Sequence, residues 1–254
     1  MKTTWIVTSA IFSNVGVYSP EIRILQTHET INSILKQYSD AKIILVEAGN
    51  AVPADHEMYN QLKARCHVYL NLTGNEQIEH LQNKFFNVIQ NRNEMGGATG
   101  LSKTVAELTL MNTVLAAMIE NDQVKPAVDV DRIFKISGRY QLSPLFDPAV
   151  YESPLVKDKY VFKTRDFSWI PNAADVIGTD HGFSSRLWSF DASLLNDIKS
   201  RFESMIEDCL QISDKHYIDI EHLLYKHMEL DKVVEFDHTH LYGTIAPNGT
   251  LIYD

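Results

Sequence analysis

The residues best suited to handling charge cluster at the end of one apolar run. Asp131-Arg132-Ile133-Phe134-Lys135-Ile136 is followed at once by Ser137-Gly138-Arg139. Arg139 offers a planar fork matched to phosphate oxygens, Gly138 lets a ligand approach the backbone, and Lys135 adds positive charge if it points outward. A diphosphate leaving group needs its developing charge neutralised, which a metal ion or fixed cationic donors can both do. Asp129-Val130-Asp131 is a literal DxD, the carboxylate pair used to hold a divalent metal on a diphosphate. It precedes the strand, whereas ligands gather beyond strand carboxyl ends, so a solvated turn is the better reading.

Other stretches carry weaker signals. Gly97-Ala98-Thr99-Gly100-Leu101-Ser102-Lys103-Thr104 has Ser102 where a phosphate-binding P-loop wants glycine, and no strand pattern leads into it. It reads as a glycine loop before a helix whose N-terminus, with Lys103, helps hold an anion. Two carboxylates stand out as bases. Glu221 has the apolar company of Ile218, Ile220, Leu223 and Leu224, which raises a carboxyl pKa, and Asp180 lies between Gly178 and Gly182 on an expected loop. Ten histidines lack any HExxH spacing, and His240, just before Leu241-Tyr242-Gly243-Thr244, is the one best placed for a ligand, because the glycine loop after it can close. There is no Gly-x-Ser-x-Gly elbow, no GxGxxG after a strand and no clear Cys/His pair, so hydrolase, dehydrogenase and cysteine-protease chemistry lose their usual support.

Alternating elements must position these groups. Trp5–Ala10, Ala41–Glu47, His67–Leu70 and Asp131–Ile136 read as buried strands. Helices are expected over Pro20–Tyr38, with Ser19 as N-cap and Ile22, Leu25, Ile31, Ile34 and Leu35 on its apolar face, over 80–90, and over Ser102–Ile119. Beyond 140 come short strands, Tyr160–Lys163 and Asp175–Gly178, a long helix near 192–211 and a shorter one near 219–228. The pattern predicts an α/β fold: a Rossmann-type mixed sheet flanked by helices. It forms one compact domain over 1–254, with a ligand half at 1–140 and an acceptor half at 141–254.

The 254 residues are 44% hydrophobic with a net charge of −10, which argues against bulk electrostatic binding of a polyphosphate backbone. No apolar stretch is long enough to span a membrane, and the start lacks a signal-peptide pattern, so a cytoplasmic address is expected. Cys66 and Cys209, without CxxC spacing, suggest neither a disulfide framework nor a zinc ribbon.

Ser19-Pro20-Glu21-Ile22-Arg23 with Gln26-Thr27, Lys42–Glu47, Phe134-Lys135-Ile136-Ser137-Gly138-Arg139-Tyr140, Trp188-Ser189-Phe190, Ile220-Glu221-His222 and Gly243–Gly249 together resemble a group of glycosyltransferase-like proteins. These have the nucleotide-diphospho-sugar transferase (GT-A) fold and are encoded by phages, large DNA viruses and surface-glycan loci, which would make the address a host cytoplasm if the source is viral. The resemblance implies a nucleotide-sugar donor, with Thr8, Ser9 and Ala10 lining the base and ribose site, Arg23 near it, and Glu47 contacting the nucleotide. Ser137, Gly138 and Arg139 would stand where the wider fold has its metal-binding DxD. That departure implies a metal-independent hexosyl- or pentosyltransferase relying on Arg139 and Lys103, with Mn or Mg on Asp129, Asp131 and His240 as the alternative. The implied acceptor is a glycan or a modified nucleobase in phage DNA, with Glu221 or Asp180 as base if the anomeric centre inverts. A non-catalytic nucleotide- or glycan-binding module with a degenerate site is the competing expectation, and a nucleotidyltransferase a weaker one.

Overall fold

A computed structural model describes residues 1–13, 16–50, 56–76, 78–80, 83, 97–213, 216–245 and 249–254. The first strand, β1 (Thr3–Ser9), is buried over most of its length because both its faces are covered: Trp5 and Val7 point to one layer of helix and Ile6 to the other. Helix α1 (Pro20–Gln37) starts where Ser19 caps the Ile22 amide with proline at the first helical position. It returns the chain to β2 (Lys42–Glu47), and α2 (Glu57–Ala64) leads to β3 (Val68–Asn71). Helix α3 (Gly97–Glu120) then crosses to β4 (Arg132–Ser137) on the other side of β1. The four strands are parallel in the order β3-β2-β1-β4.

The second half extends the same sheet. Short β5 (Tyr140–Leu142) is followed by β6 (Tyr160–Lys163) and by a two-stranded hairpin, β7 (Asp166–Phe167) with β8 (His181–Gly182). Strand β9 (Leu187–Asp191) inserts antiparallel between β4 and β6, and β10 (Val233–Phe236) closes the far edge, so seven strands form one sheet through both halves. Strands β11 (Leu241–Thr244) and β12 (Leu251–Tyr253) pair with β5 in a smaller sheet. Helix α4 (Ala173–Ile177) lies within the β7–β8 excursion, while α5 (Leu195–Ser213) and α6 (Ile220–His227) join α3 over one face. No helix among the described residues is long and apolar enough to cross a membrane.

Three expectations change. Asp175–Gly178 belongs to α4 and its αL glycine cap, not to a strand, because Gly178 at φ 81° ends a helical turn. The helix expected from Ser102 begins at Gly97, so the glycines form its first turn. On α1, Ile22 and Leu25 are exposed, and the buried stripe runs Ile24, Thr27, Ile31 and Ile34. The stripe is rotated because Thr27 packs on Gly138, its hydroxyl donating to the Gly138 carbonyl at 2.9 Å. A Cβ on Gly138 would sit 3.1 Å from Thr27 Oγ1, so glycine admits the helix as well as any ligand. Most of the helix expected at 80–90 lies outside the described residues.

Candidate functional site

Strand β1 has neighbours on both sides, β2 and β4, and the chain leaves the two in opposite directions. Loops beyond the carboxyl ends of β1 and β4 therefore diverge, leaving the crevice in which open α/β sheets bind ligands. A cleft opens there, lined by Thr8, Ser9, Ala10, Ile11, Tyr18, Arg23, Gln26, Thr27, Gly138 and Arg139. Thr8 lies opposite Ser137 in the β1–β4 register, and the Gly138 amide donates to the Thr8 carbonyl at 2.8 Å, which locks the two rims together.

The cleft gathers cations. Arg139 leans over the Tyr140 ring at 5.3 Å, and its buried Nε has no hydrogen-bond partner. A buried guanidinium N–H left unpaired carries a desolvation cost that an anionic ligand would remove. Arg23 donates to the Ala10 carbonyl at 2.6 Å and the Tyr18 carbonyl at 3.1 Å, pinning the loop after β1. Partial burial and then the charge of Arg139 push Arg23 below the usual arginine range. The same two causes, in the same order, lower Lys103 on α3. Arg23 and Arg139 thus line the cleft together, and Lys103, outside the lining, lies close enough to feel the charge of Arg139; such fixed cations favour a phosphate.

Glu47 reaches the site only through other groups. Fully buried, it accepts from Ser9 Oγ at 2.6 Å, the Ile11 amide at 2.9 Å and the Gly49 amide at 2.8 Å. Burial raises its pKa against those bonds. It has no surface for a nucleotide to touch and instead ties the loops after β1 and β2 together.

Lys135 also departs from its expected place, because β4 alternates and its side chain leaves on the opposite face from α1. It is buried, and its ammonium donates to Glu107 Oε1 at 2.6 Å, the Ser185 carbonyl at 2.6 Å and Ser137 Oγ at 3.2 Å, which occupies all three protons. Ser185 in turn donates to Glu221 Oε1 at 2.6 Å. Burial, then the charges of Asp219 and Glu107, push the Glu221 carboxyl up to about 7, the range of a working base. Glu107, one helical turn after Lys103 on α3, thus joins a polar chain that runs from Ser137 through Lys135 and Ser185 to Glu221.

Asp180 is exposed on the turn before β8, its carboxylate 2.6 Å from His181 Nδ1, away from the cleft lining. His240 stands at the wrong end of β11. The antiparallel register sets Leu241 against Leu142 and Gly243 against Tyr140, so Thr244, which accepts from Gln26 Nε2 at 3.2 Å, is the β11 residue that reaches the cleft wall. Tyr18, Gln26, Thr27, Glu107 and Ser185 were not singled out from sequence as site residues. Arg23, Gln26 and Thr27 share one helical face by their i, i+3, i+4 spacing, which was the available signal.

Among the described residues the donor set of the cleft does not suit a divalent metal. The cleft presents hydroxyl, amide and guanidinium groups. Asp129 and Asp131 lie at the amino end of β4, where Asp131 accepts from the Lys2 amide at 2.7 Å and Asp129 sits 3.7 Å from Lys2 Nζ. Among the described residues no group of three or more His, Cys, Asp or Glu side chains is placed to hold a metal.

No protein-family model matches the chain, and no curated protein sequence does. Solved structures are similar in fold. Core-mannan synthase A from Aspergillus fumigatus, in an Mn/GDP form, superimposes with a TM-score of 0.55 at 11% identity, over 93% of this chain and 73% of that one. The galactosyltransferase LgtC, in complex with donor and acceptor sugar analogs, gives 0.52 at 9%, over 92% and 72%. The mannosyltransferase Ktr4p from S. cerevisiae gives 0.53 at 8%, over 93% and 69%. Strand order, single compact domain and these superpositions agree: the chain carries the GT-A fold of glycosyltransferases.

Proposed function

We propose that this protein is a glycosyltransferase that moves a sugar from a nucleotide-linked donor to an acceptor hydroxyl, neutralising the diphosphate leaving group with fixed cations in place of a metal. One observation carries this: Arg139, with a buried unpaired Nε, lines the cleft beside Gly138 at the carboxyl ends of β1 and β4 together with Arg23, and its charge also reaches Lys103. Thr8, Ser9 and Ala10 would receive the base and ribose, and Arg139 with Lys103 the diphosphate. Preorganised donors aimed at developing charge need no reorganisation during reaction. Glu221, held by Ser185, is the base for an inverting transfer and takes the acceptor proton as the oxygen attacks the anomeric carbon. In a retaining transfer the same cations would carry the step by stabilising the leaving diphosphate.

The test is a thermal-shift and calorimetry panel of UDP-, GDP-, CMP- and dTDP-linked sugars, each with Mn²⁺, Mg²⁺ or EDTA. Stabilisation by one donor in EDTA, lost in Arg139→Ala while that variant's own melting point stays unchanged, is expected. Turnover should fall by roughly 10²-fold or more with the variant, the size seen when one fixed donor to a developing oxyanion is removed. Donor binding that needs metal would overturn the cationic mechanism. No binding by any donor would leave a non-catalytic module as the explanation.

A further inference from the structure

The hairpin β7–β8 displays aromatic side chains on the surface with their supports buried beneath. Phe167 is 80% exposed and Trp169 52% exposed. Between them Ser168 turns inward, its hydroxyl 2.7 Å from Nε2 of His222, which is buried. The other ring nitrogen of His222 lies 2.5 Å from Asp219 Oδ1; a carboxylate only accepts, so Nδ1 carries a proton and donates to it. Asp219 Oδ2 accepts from Trp169 Nε1 at 3.3 Å. One Ser-His-Asp chain, centred on the buried His222, thus holds Ser168 and Trp169 in place. Trp169 packs against Tyr217 at 5.5 Å, and Phe167 on His181 at 4.5 Å.

Large aromatics held rigid and wet mark a binding surface, since exposed they gain nothing for folding. The charge around them selects the occupant. Asp166 and Asp180 are exposed on the hairpin, and Asp219 and Glu221 lie at the start of α6, where both push the Tyr217 hydroxyl upward after burial does. The neighbouring cations are already neutralised: Arg165 by Glu235, and Lys226 by Asp208 at 2.8 Å. A polyanion would be repelled here, while a hydroxyl-rich neutral ligand can stack its C–H face on the rings and donate hydrogen bonds to the exposed carboxylates of Asp166 and Asp180.

We propose that the Phe167–Trp169–Tyr217 shelf binds a neutral saccharide, which is the acceptor, and that nucleic acid is not. The identification as acceptor rests on the transferase function proposed above, because the shelf adjoins Glu221; saccharide binding itself does not.

The protein carries its own reporter, since of its three tryptophans Trp5 and Trp188 are buried and Trp169 alone is exposed. Intrinsic fluorescence is titrated with lactose, cellobiose, chitobiose and mannobiose, and with a single-stranded 12-mer DNA. A saturable change with at least one disaccharide and none with DNA is expected. Phe167→Ala, which keeps the reporter, should weaken it about fivefold or more. No saturable response to any sugar, an unchanged affinity in Phe167→Ala, or a response to DNA alone overturns the proposal. Nucleotide-sugar binding to the unmodified protein, followed separately by thermal shift, tells the two failures apart: sugar binding without donor binding sinks the transferase function and leaves the shelf, and the converse sinks the shelf alone.

Discussion

Replacing Glu47 separates a loop-tying carboxylate from one that merely occupies the core. One carboxylate oxygen accepts from the Ile11 and Gly49 amides, and the other from Ser9 Oγ, which also donates to the Val46 carbonyl at 3.1 Å. In Glu47→Ala the two amides lose their acceptor in a site closed to water, while Ser9 keeps Val46. Each buried N–H left unsatisfied costs about 2 kcal/mol, so the variant should lose about 4 kcal/mol. In Glu47→Gln the amide oxygen still serves both N–H groups, and the new NH₂ can donate to Ser9 Oγ. That change should cost less than about 1 kcal/mol. Urea unfolding at unchanged m-value measures both. Thermal scans should place the alanine variant about 8–16 °C below the parent, at about 2–4 °C per kcal/mol for a chain of this size. A loss under about 1 kcal/mol in Glu47→Ala, or equal losses in both variants, would refute the assignment of Glu47 as the tie between the two loops.

Further outcomes follow from the same geometry. Gly243→Ala should destabilise by about 3 kcal/mol or more, because the added Cβ would lie 2.6 Å from Tyr140 Cδ1 and press on the Arg139 carbonyl, and overpacked sites relax poorly; a chemical denaturation midpoint close to the parent's would contradict this. Lys135→Met strands Glu107 beside an apolar group, and since Glu107 keeps 28% of its side-chain surface the loss should be about 2 kcal/mol, less than for a fully buried pair. Part of it should return in Lys135→Met/Glu107→Leu, the remainder reflecting the Ser185 carbonyl and Ser137 hydroxyl that Lys135 also serves, and a double variant no better than the single one would show that the pair was not the cause. With its folded pKa raised to about 7, Glu221 binds its proton more tightly in the native state than in the unfolded chain. Its contribution to stability is therefore present at low pH and is lost as pH rises from the ordinary carboxylate range through about 7. Stability measured across that window should decline in the parent and flatten in Glu221→Gln, and parallel profiles would exclude Glu221 as the titrating group.

Much of the scaffold was legible in residue order. Continuous apolar runs at Trp5–Val7 and Ile43–Val46, and the run Ile133–Ile136 broken only by Lys135, mark strands covered on both faces, and the Ser19-Pro20 start marks α1, because these signals are local and depend only on neighbours along the chain. The position of Arg139 at a strand's carboxyl end was legible too, since Ser137 ends β4 and Gly138-Arg139 follows directly, whatever the topology. Tertiary structure decided the rest. Whether Lys135 faces the cleft or the helices depends on the pleat of β4 relative to α1, and the alternation puts it against Glu107. Whether Glu47 meets a ligand or two amides depends on β1 lying in register beside β2, which sets Ser9 opposite Glu47. His240 lost its place at the cleft to Thr244 through the antiparallel register of β11 with β5. The partners of Glu221, Ser168 and Trp169 come from segments dozens of residues apart, brought together by β9 inserting between β4 and β6 and by the hairpin folding over α6. Sequence determined the elements and their order because propensity and periodicity are local; which side chains share a site was decided by strand register and helix rotation, which only the packed sheet specifies.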